Sequence, residues 1–413
     1  MHKPGITRLL ICSDWFYPAV KAGGPVRSVV NLLTLIAGSV SVRVLTSDRD
    51  LGDRAPFSGL ETCSWIRYVG GLEAGEAGRS GLPTGLEVFH GRGWLRGVEL
   101  LRVVRSWSPD VVYLNSMFSF WGTIWPLLWL RVTFASSRVI VAPRGMLKPS
   151  ALAFKTARKM FFLRLFRFSG LFRNVEFHAT SAAERDEIQQ IIGNVVVHEI
   201  SNVPLAPLSE VGQRPVHGRL RIISVGRVHR IKNTHLIFDI LEKAAVSCDL
   251  FIVGPEEDPG YSDLCRKRAA ELRDTIQTEF CGTLAGTELE QMVIDADLFL
   301  SPTSGENFGH SIFESMALGT PVLISDQTIW RNPEAHRAGW EFGINEIDAF
   351  SAAIRKLNEM TPAERYSLRD GALSLAQKFV ADARLLDAYT EMFSGRGKHQ
   401  LSQSSRSAAE GIR

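Results

Sequence analysis

No stretch of this 413-residue sequence stays apolar for the roughly 20 residues that a membrane-spanning helix requires. The nearest approach, FWGTIWPLLWL at 120–130, stops at Arg131. No secretory leader is expected either, because MHKPGITR runs straight into Leu9-Leu10-Ile11, too short for a signal core. Cysteine is scarce and unpatterned. Cys12, Cys63, Cys248, Cys265 and Cys281 form no C-x-x-C pair and are odd in number, which reads as free thiols in a reducing compartment. Excess charge is lacking: the formal net charge is +3, and no basic stripe interleaved with aromatics appears, so no nucleic-acid partner is expected. A G-x-G-x-x-G turn after a strand is also absent, which argues against a nicotinamide oxidoreductase. Asp295-Ala-Asp297 has the letters of a D-x-D metal site, but it precedes an apolar run instead of following one, so no metal is assigned. The expectation is a soluble, cytoplasmic protein with no cofactor.

What the chain does contain is 45 % apolar and 22 % charged residues, enough for large cores without disulfides or structural metal. Short apolar runs alternate with amphipathic stretches. Strands are expected at 7–12, 41–46, 110–114, 137–142, 174–179 and 195–200. In the second half they fall at 220–225, 249–253, 276–280, 297–301 and 321–325. Helices are expected at 25–37, 95–107, 121–134, 151–170 and 181–192, and between the later strands. Val-, Ile- and Leu-rich strands alternating with helices imply an α/β protein with parallel sheets covered on both faces.

The run NVPLAPLSEVGQRPVHGR at 202–219 lacks periodicity and reads as an interdomain linker. It separates an expected first domain, 1–203, from a second, 204–379. A helix at about 380–394 is expected to return to the first domain, and the polar tail 395–413 to be disordered. The Gly-rich stretch 51–93 reads as one long loop. Two doubly wound, Rossmann-like domains facing across a cleft would bind ligand at the carboxyl ends of their strands.

The loops after those strands hold the candidate chemistry. SGENFGHSIFESMALGTP at 304–321 carries two acids, Glu306 and Glu314, around a glycine turn and a helix start. Gly309 permits close backbone approach, and free N–H groups at the helix start suit phosphate or sugar oxygens. A carboxylate on the first helical turn can accept from a cis-diol. The same letters also fit a capping box, Ser311-x-x-Glu314, with no ligand at all. After strand 220–225, Gly226-Arg227 and Lys232 place two cations at a strand-to-helix turn, as a diphosphate clamp would. After strand 7–12, Gly23-Gly24 precedes Pro25 at a helix start.

These segments together resemble glycosyltransferase family 4, the retaining nucleotide-sugar enzymes of the GT-B fold. SGENFGHSIFESMALGTPVLIS resembles the family's E-x7-E segment, VGRVHRIKN its phosphate clamp, and YPAVKAGGP its amino-terminal glycine loop. PDVVYLNS, APRGMLKPSAL and FHATSAAERDEI follow the family's order, so the resemblance spans roughly residues 8–390. It implies a nucleotide diphosphate sugar donor and a glycan or lipid-linked acceptor, as in bacterial surface polysaccharide synthesis. Glu314 would bind the ribose. Glu306, with Phe308, Gly309, His310 and Ser311, would hold the donor sugar. Arg227 and Lys232 would take the diphosphate, and Glu306, Arg227 and Lys232 would carry the catalysis. Gly23 and Gly24 would face the donor across the cleft, with Arg144 and Asn115 on the acceptor side. Many members have a histidine where this chain reads Tyr113-Leu114-Asn115-Ser116, which argues against a general base there. The 282–290 loop would border the nucleotide base.

Residues 155–173, KTARKMFFLRLFRFSGLFR, contain six cations and no acid, which suits contact with an anionic inner membrane as well as a core helix with a basic edge. A GT-B sugar-nucleotide epimerase and a non-catalytic sugar-nucleotide-binding partner are the rival readings.

Overall fold

A computed structural model describes residues 6–68, 82–133, 136–148, 159, 162–163, 169–212, 218–382 and 384–395. Two sheets organise them. The first has eight strands: β1 Arg8–Cys12, β2 Ser41–Ser47, β3 Trp65–Arg67, β4 Glu87–Gly91, β5 Val111–Leu114, β6 Arg138–Val141, β7 Val175–Ala179 and β8 Val197–Glu199. Their order is β3-β4-β2-β1-β5-β6-β7-β8, parallel except for β3 against β4. The second sheet has six strands: β9 Leu220–Val225, β10 Cys248–Val253, β11 Ile276–Gly282, β12 Leu298–Ser301, β13 Val322–Ser325 and β14 Gly339–Phe342. It runs β11-β10-β9-β12-β13-β14, all parallel.

Both sheets are covered by helices on two faces, which is why the central strands are apolar throughout instead of alternating. β5, β12 and β13 are buried at every position. The helices around the first sheet are α1 Gly24–Leu35, α2 Gly93–Ser106, α3 Trp125–Val132 and α4 Ala182–Ile192. Around the second lie α5 Thr234–Ala244, α6 Pro259–Ala270, α7 Gly286–Asp295, α8 His310–Ala317, α9 Ile347–Glu359 and α10 Pro362–Asp382. The last helix, α11 Leu385–Ser394, lies on the first sheet's core. There Leu385, Tyr389, Met392 and Phe393 are buried beside Leu9, Ile11 and Tyr113. The connection between the sheets is packed on both sides: Val203 belongs to the first core and Leu205 to the second.

Several expectations need correction. The stretch 51–93 is not one loop, because it holds β3 and β4. β4 is short and ends in His90-Gly91, so its composition hides it; the parallel register Arg43↔Glu87 to Ser47↔Gly91 creates it. β14 is likewise missing from the expected strands. Gly339-Trp-Glu-Phe342 contains no aliphatic residue to mark it and is held by pairing with β13. The single helix expected at 121–134 is a π-helical turn, Phe120–Ile124, followed by α3. Pro126 stands at the first turn of α3 and has no N–H to give to Gly122, so regular α-helix cannot continue through it. Most of the expected helix 151–170 and of the basic segment 155–173, and the tail after Gly395, lie outside the described residues.

Candidate active site

In each sheet the chain reverses its winding direction at one place. These switch points fall between β1 and β5 in the first sheet and between β9 and β12 in the second. At a switch point the loops after the two strands diverge and open a crevice. The four loops so placed carry Gly23-Gly24, Asn115, Arg227 to Lys232, and Glu306 to Gly309. The topology therefore gathers the residues singled out along the chain.

On the second domain, Lys232 Nζ forms an ion pair with Glu306 Oε1. Both side chains are largely shielded, Glu306 being 13 % exposed. Their loops are stitched together by Asn233, whose φ of 51° turns the chain into α5. Its Nδ2 donates to Pro302 O at 2.9 Å and to Ser304 Oγ at 2.7 Å. Arg227 does not join the Lys232–Glu306 pair; its Nη1 donates to Glu257 at 2.9 Å. Asp297 is structural, accepting the Arg221 N–H at 2.8 Å.

The capping-box alternative for Glu314 is not what forms. Gly309, at φ 77°, is the N-cap of α8, and no side chain caps the helix. Ser311 therefore sits inside the helix and cannot cap it, and Glu314 faces the cleft. Glycine is needed at 309: a Cβ there would stand 3.0 Å from Ile312 Cδ1 and 3.2 Å from Trp330 Nε1. Trp330 Nε1 also donates to Phe308 O at 2.7 Å. Phe308 itself is buried against Phe313, Trp330 and Phe379, so an aromatic cluster holds the turn from beneath.

The first domain supplies the facing wall. Arg27, one turn into α1, forms an ion pair with Glu314. Ser28 Oγ and His310 Nε2 are 2.8 Å apart, and a Cβ on Gly24 would lie 3.6 Å from the His310 ring. Lys148 Nζ donates to Glu306 O at 2.7 Å, and Asn307 Nδ2 to Thr180 Oγ1 at 2.7 Å. His310 is held neutral: burial, then the charges of Arg27 and Arg144, push its pKa down to about 3. Between α1, α7 and α8 lies a cavity of about 130 Å³. Gly23, Arg27, Leu284, Gly286, Glu290 and Glu314 are among its lining residues.

Asn115 and Arg144 lie together beneath this wall. Arg144 Nε donates to Asn115 Oδ1 at 2.7 Å, Nη2 to Tyr113 Oη at 2.9 Å, and Nη1 to Asn202. Tyr113 in turn donates to His178 Nδ1 at 2.6 Å, whose Nε2–H donates to Ile200 O at 2.8 Å. Burial and the Arg144 charge depress the His178 pKa to about 3, in keeping with that neutral tautomer. Arg144 thus braces the floor of the first domain with all three of its nitrogens. Sequence reasoning missed Arg27, Lys148, Asn202 and Trp330. Arg27 and Lys148 had a signal, lying three residues after Gly24 and inside the segment APRGMLKPSAL; Asn202 and Trp330 reach the site only through the fold.

Two parallel-sheet α/β domains facing across such a cleft define the GT-B fold. Residues 211–371 match the family described as Glycosyl transferases group 1. A sulfoquinovosyl transferase of Arabidopsis thaliana is 30 % identical over 104 residues, a match covering 25 % of this chain and only 19 % of that relative. A glycogen synthase of Mycobacterium tuberculosis is 26 % identical over 335 residues, covering 77 % of this chain and 78 % of the relative. Among solved structures, Anabaena HepE in complex with UDP-glucose is similar with a TM-score of 0.66 at 14 % identity, over 95 % of this chain and 99 % of that one.

Proposed function

We propose that this protein is a retaining, family 4 glycosyltransferase. It moves a sugar from a nucleotide diphosphate sugar to a hydroxyl of a glycan or lipid-linked acceptor in bacterial surface polysaccharide synthesis. The observation that carries this reading is the convergence at one cleft of Lys232, Glu306 and the uncapped start of α8 with Glu314 on its first turns. Opposite them stand Gly24 and Arg27 of the first domain, and beside them the cavity bordered by the 282–290 loop.

Transfer of a glycosyl group builds positive charge on the sugar carbon and negative charge on the departing diphosphate. Lys232, Arg227 and the N–H groups at the start of α8 would stabilise that negative charge without a metal. Glu306 would accept from hydroxyls of the transferred sugar, and Glu314 from the ribose diol. The departing phosphate would take the acceptor's proton, so attack on the face it leaves retains configuration. Asn115 and Arg144 shape the acceptor side from below. The basic segment 155–173 would bring the enzyme to a membrane-held acceptor.

The test is a thermal shift with UDP, GDP, ADP, CMP and NAD in EDTA, beside Glu314→Ala. UDP goes first because the HepE structure holds a UDP-sugar. A nucleotide at 100 times its dissociation constant stabilises by about 2.7 kcal/mol. One nucleoside diphosphate raising the melting temperature, with the gain lost in the variant, is the expected result. A shift with NAD alone, or with none of the five, rejects the proposal.

A further inference from the structure

One face of the first domain is built for something other than the cleft. Gly93 and Gly97 stand one turn apart on α2. A Cβ on Gly93 would lie 3.3 Å from Trp121 Nε1, and one on Gly97 would run into the Trp125 indole. The two glycines therefore let α2 close on the π-helical turn and α3, and the indoles are pressed into a ladder. Ring centroids are 4.9 Å apart for Phe120 and Trp121, 5.5 Å for Trp121 and Trp125, and 5.5 Å for Trp125 and Trp129.

Around that ladder, large apolar side chains face water. Trp94 is 62 % exposed, Phe120 50 %, Leu128 41 % and Val132 65 %. Single exposed apolar residues are ordinary; four on three touching elements, α2, the π-helical turn and α3, mark a contact surface. Its charge says what it contacts. Arg92, Arg105 and Arg131 are exposed on the same elements. Across 92–107 and 116–133 the one acid is Glu99, which is buried and accepts from Trp65 Nε1 at 2.7 Å. The neighbouring carboxylate, Asp14, is engaged by Ser119 Oγ at 2.6 Å and by Arg96 at 3.5 Å. Exposed indole, phenyl and aliphatic groups with an arginine rim match the headgroup region of an anionic bilayer.

We propose that the outer face of α2 and α3 docks laterally on an anionic membrane surface, with Trp94, Phe120, Leu128 and Val132 entering the headgroup layer. No helix among the described residues is long and apolar enough to cross a bilayer, so the contact is one of face, not of span. Trp94 and Phe120 follow the carboxyl ends of β4 and β5, so the docked face begins at the rim of the cleft. This surface is separate from the basic segment 155–173 and does not depend on the sugar-transfer reading.

The experiment is co-sedimentation of the full chain at low salt with vesicles of phosphatidylglycerol and phosphatidylethanolamine, against vesicles of phosphatidylcholine alone. Tryptophan emission is recorded in parallel. The wild type should sediment with the anionic vesicles and its emission should shift to shorter wavelength. Leu128→Glu with Val132→Glu should reduce binding by about tenfold or more, with an unchanged melting temperature. The nucleotide-induced thermal shift should be the same in that variant, which separates this proposal from the fate of the donor site. Arg164→Glu with Arg167→Glu, in the basic segment, should leave the emission shift in place. Three results overturn the proposal: no sedimentation of the wild type with anionic vesicles, wild-type binding by the glutamate variant, or loss of binding and of the emission shift only in the arginine variant. A glutamate variant that instead breaks a dimer, with no vesicle binding in the wild type, assigns the face to a second copy and also overturns it.

Discussion

Arg27 of α1 and Glu314 of α8 form an ion pair that joins the two domains across the cleft. The carboxylate assigned to the ribose diol therefore already has a cation, and a bound nucleotide must share or displace it. Arg27→Ala is expected to free Glu314. The two side chains are only 32 % and 14 % exposed, so removing Arg27 leaves a largely shielded carboxylate unpaired, and a urea titration should show a loss of about 1–3 kcal/mol. Isothermal titration should show tighter binding of the nucleoside diphosphate. Weaker binding would mean that Arg27 contacts the nucleotide itself.

Lys232 and Glu306 form the other central pair, both on the second domain. If Lys232 stabilises the departing diphosphate, Lys232→Ala should lower kcat by about 10²–10³-fold, corresponding to about 2.7–4 kcal/mol of barrier. Glu306→Gln should lower the rate of transfer while leaving the affinity for the nucleoside diphosphate without its sugar close to wild type. Steady-state transfer assays and nucleotide titration together separate these two outcomes.

Three histidines are held neutral by burial. His90 is depressed to about 4, and His178 and His310 to about 3, against an ordinary value near 6.5. The unfolded chain takes up protons on them below about pH 6.5 and the folded chain does not. Stability is therefore complete above that pH and is lost as the pH falls toward 4 to 3. Each contributes a slope of up to about 1.4 kcal/mol per pH unit. Urea midpoints should fall between pH 6.5 and 5, above the range where most carboxylates titrate. His310→Gln should flatten that slope; an unchanged slope would show that His310 is protonated in the fold.

Gly309 turns the chain into α8 with φ 77°. Gly309→Ala should cost about 1–2 kcal/mol from the left-handed backbone alone, and it also crowds Ile312 and Trp330. Because the same turn aims Ser311 and Glu314 at the cavity, the nucleotide thermal shift should shrink as well. Gly23→Ala is the control. Its φ is also positive, but its Cβ would meet nothing within 4 Å. It should lose stability without crowding any side chain.

Much of the scaffold is legible in the amino-acid sequence. Apolar strands such as Leu298–Ser301 and Val322–Ser325 announce themselves because they are buried on both faces. Glu306, Glu314, Arg227 and Lys232 stand out because loops after such strands need no apolar pattern, so acids and cations there ask for a reason. β3, β4 and β14 are not legible. Each is short and at or near a sheet edge, where pairing with a neighbour, not composition, creates the strand. The break before α3 is written in Pro126, yet its form, a π-helical turn, depends on packing against α2.

The order of apolar runs, glycines and charged loops along the chain determined that there would be two parallel sheets and which loops would carry chemistry, because strand burial and turn geometry are local properties. Only the tertiary structure decided that Gly309 and not Ser311 caps α8. It alone paired Arg27 with Glu314 and Lys232 with Glu306, and spent Arg144 on Tyr113, Asn115 and Asn202. Those partners lie from about 30 to nearly 300 residues apart, and pairing over such separations is set by where the sheets bring the loops, which no short-range pattern encodes.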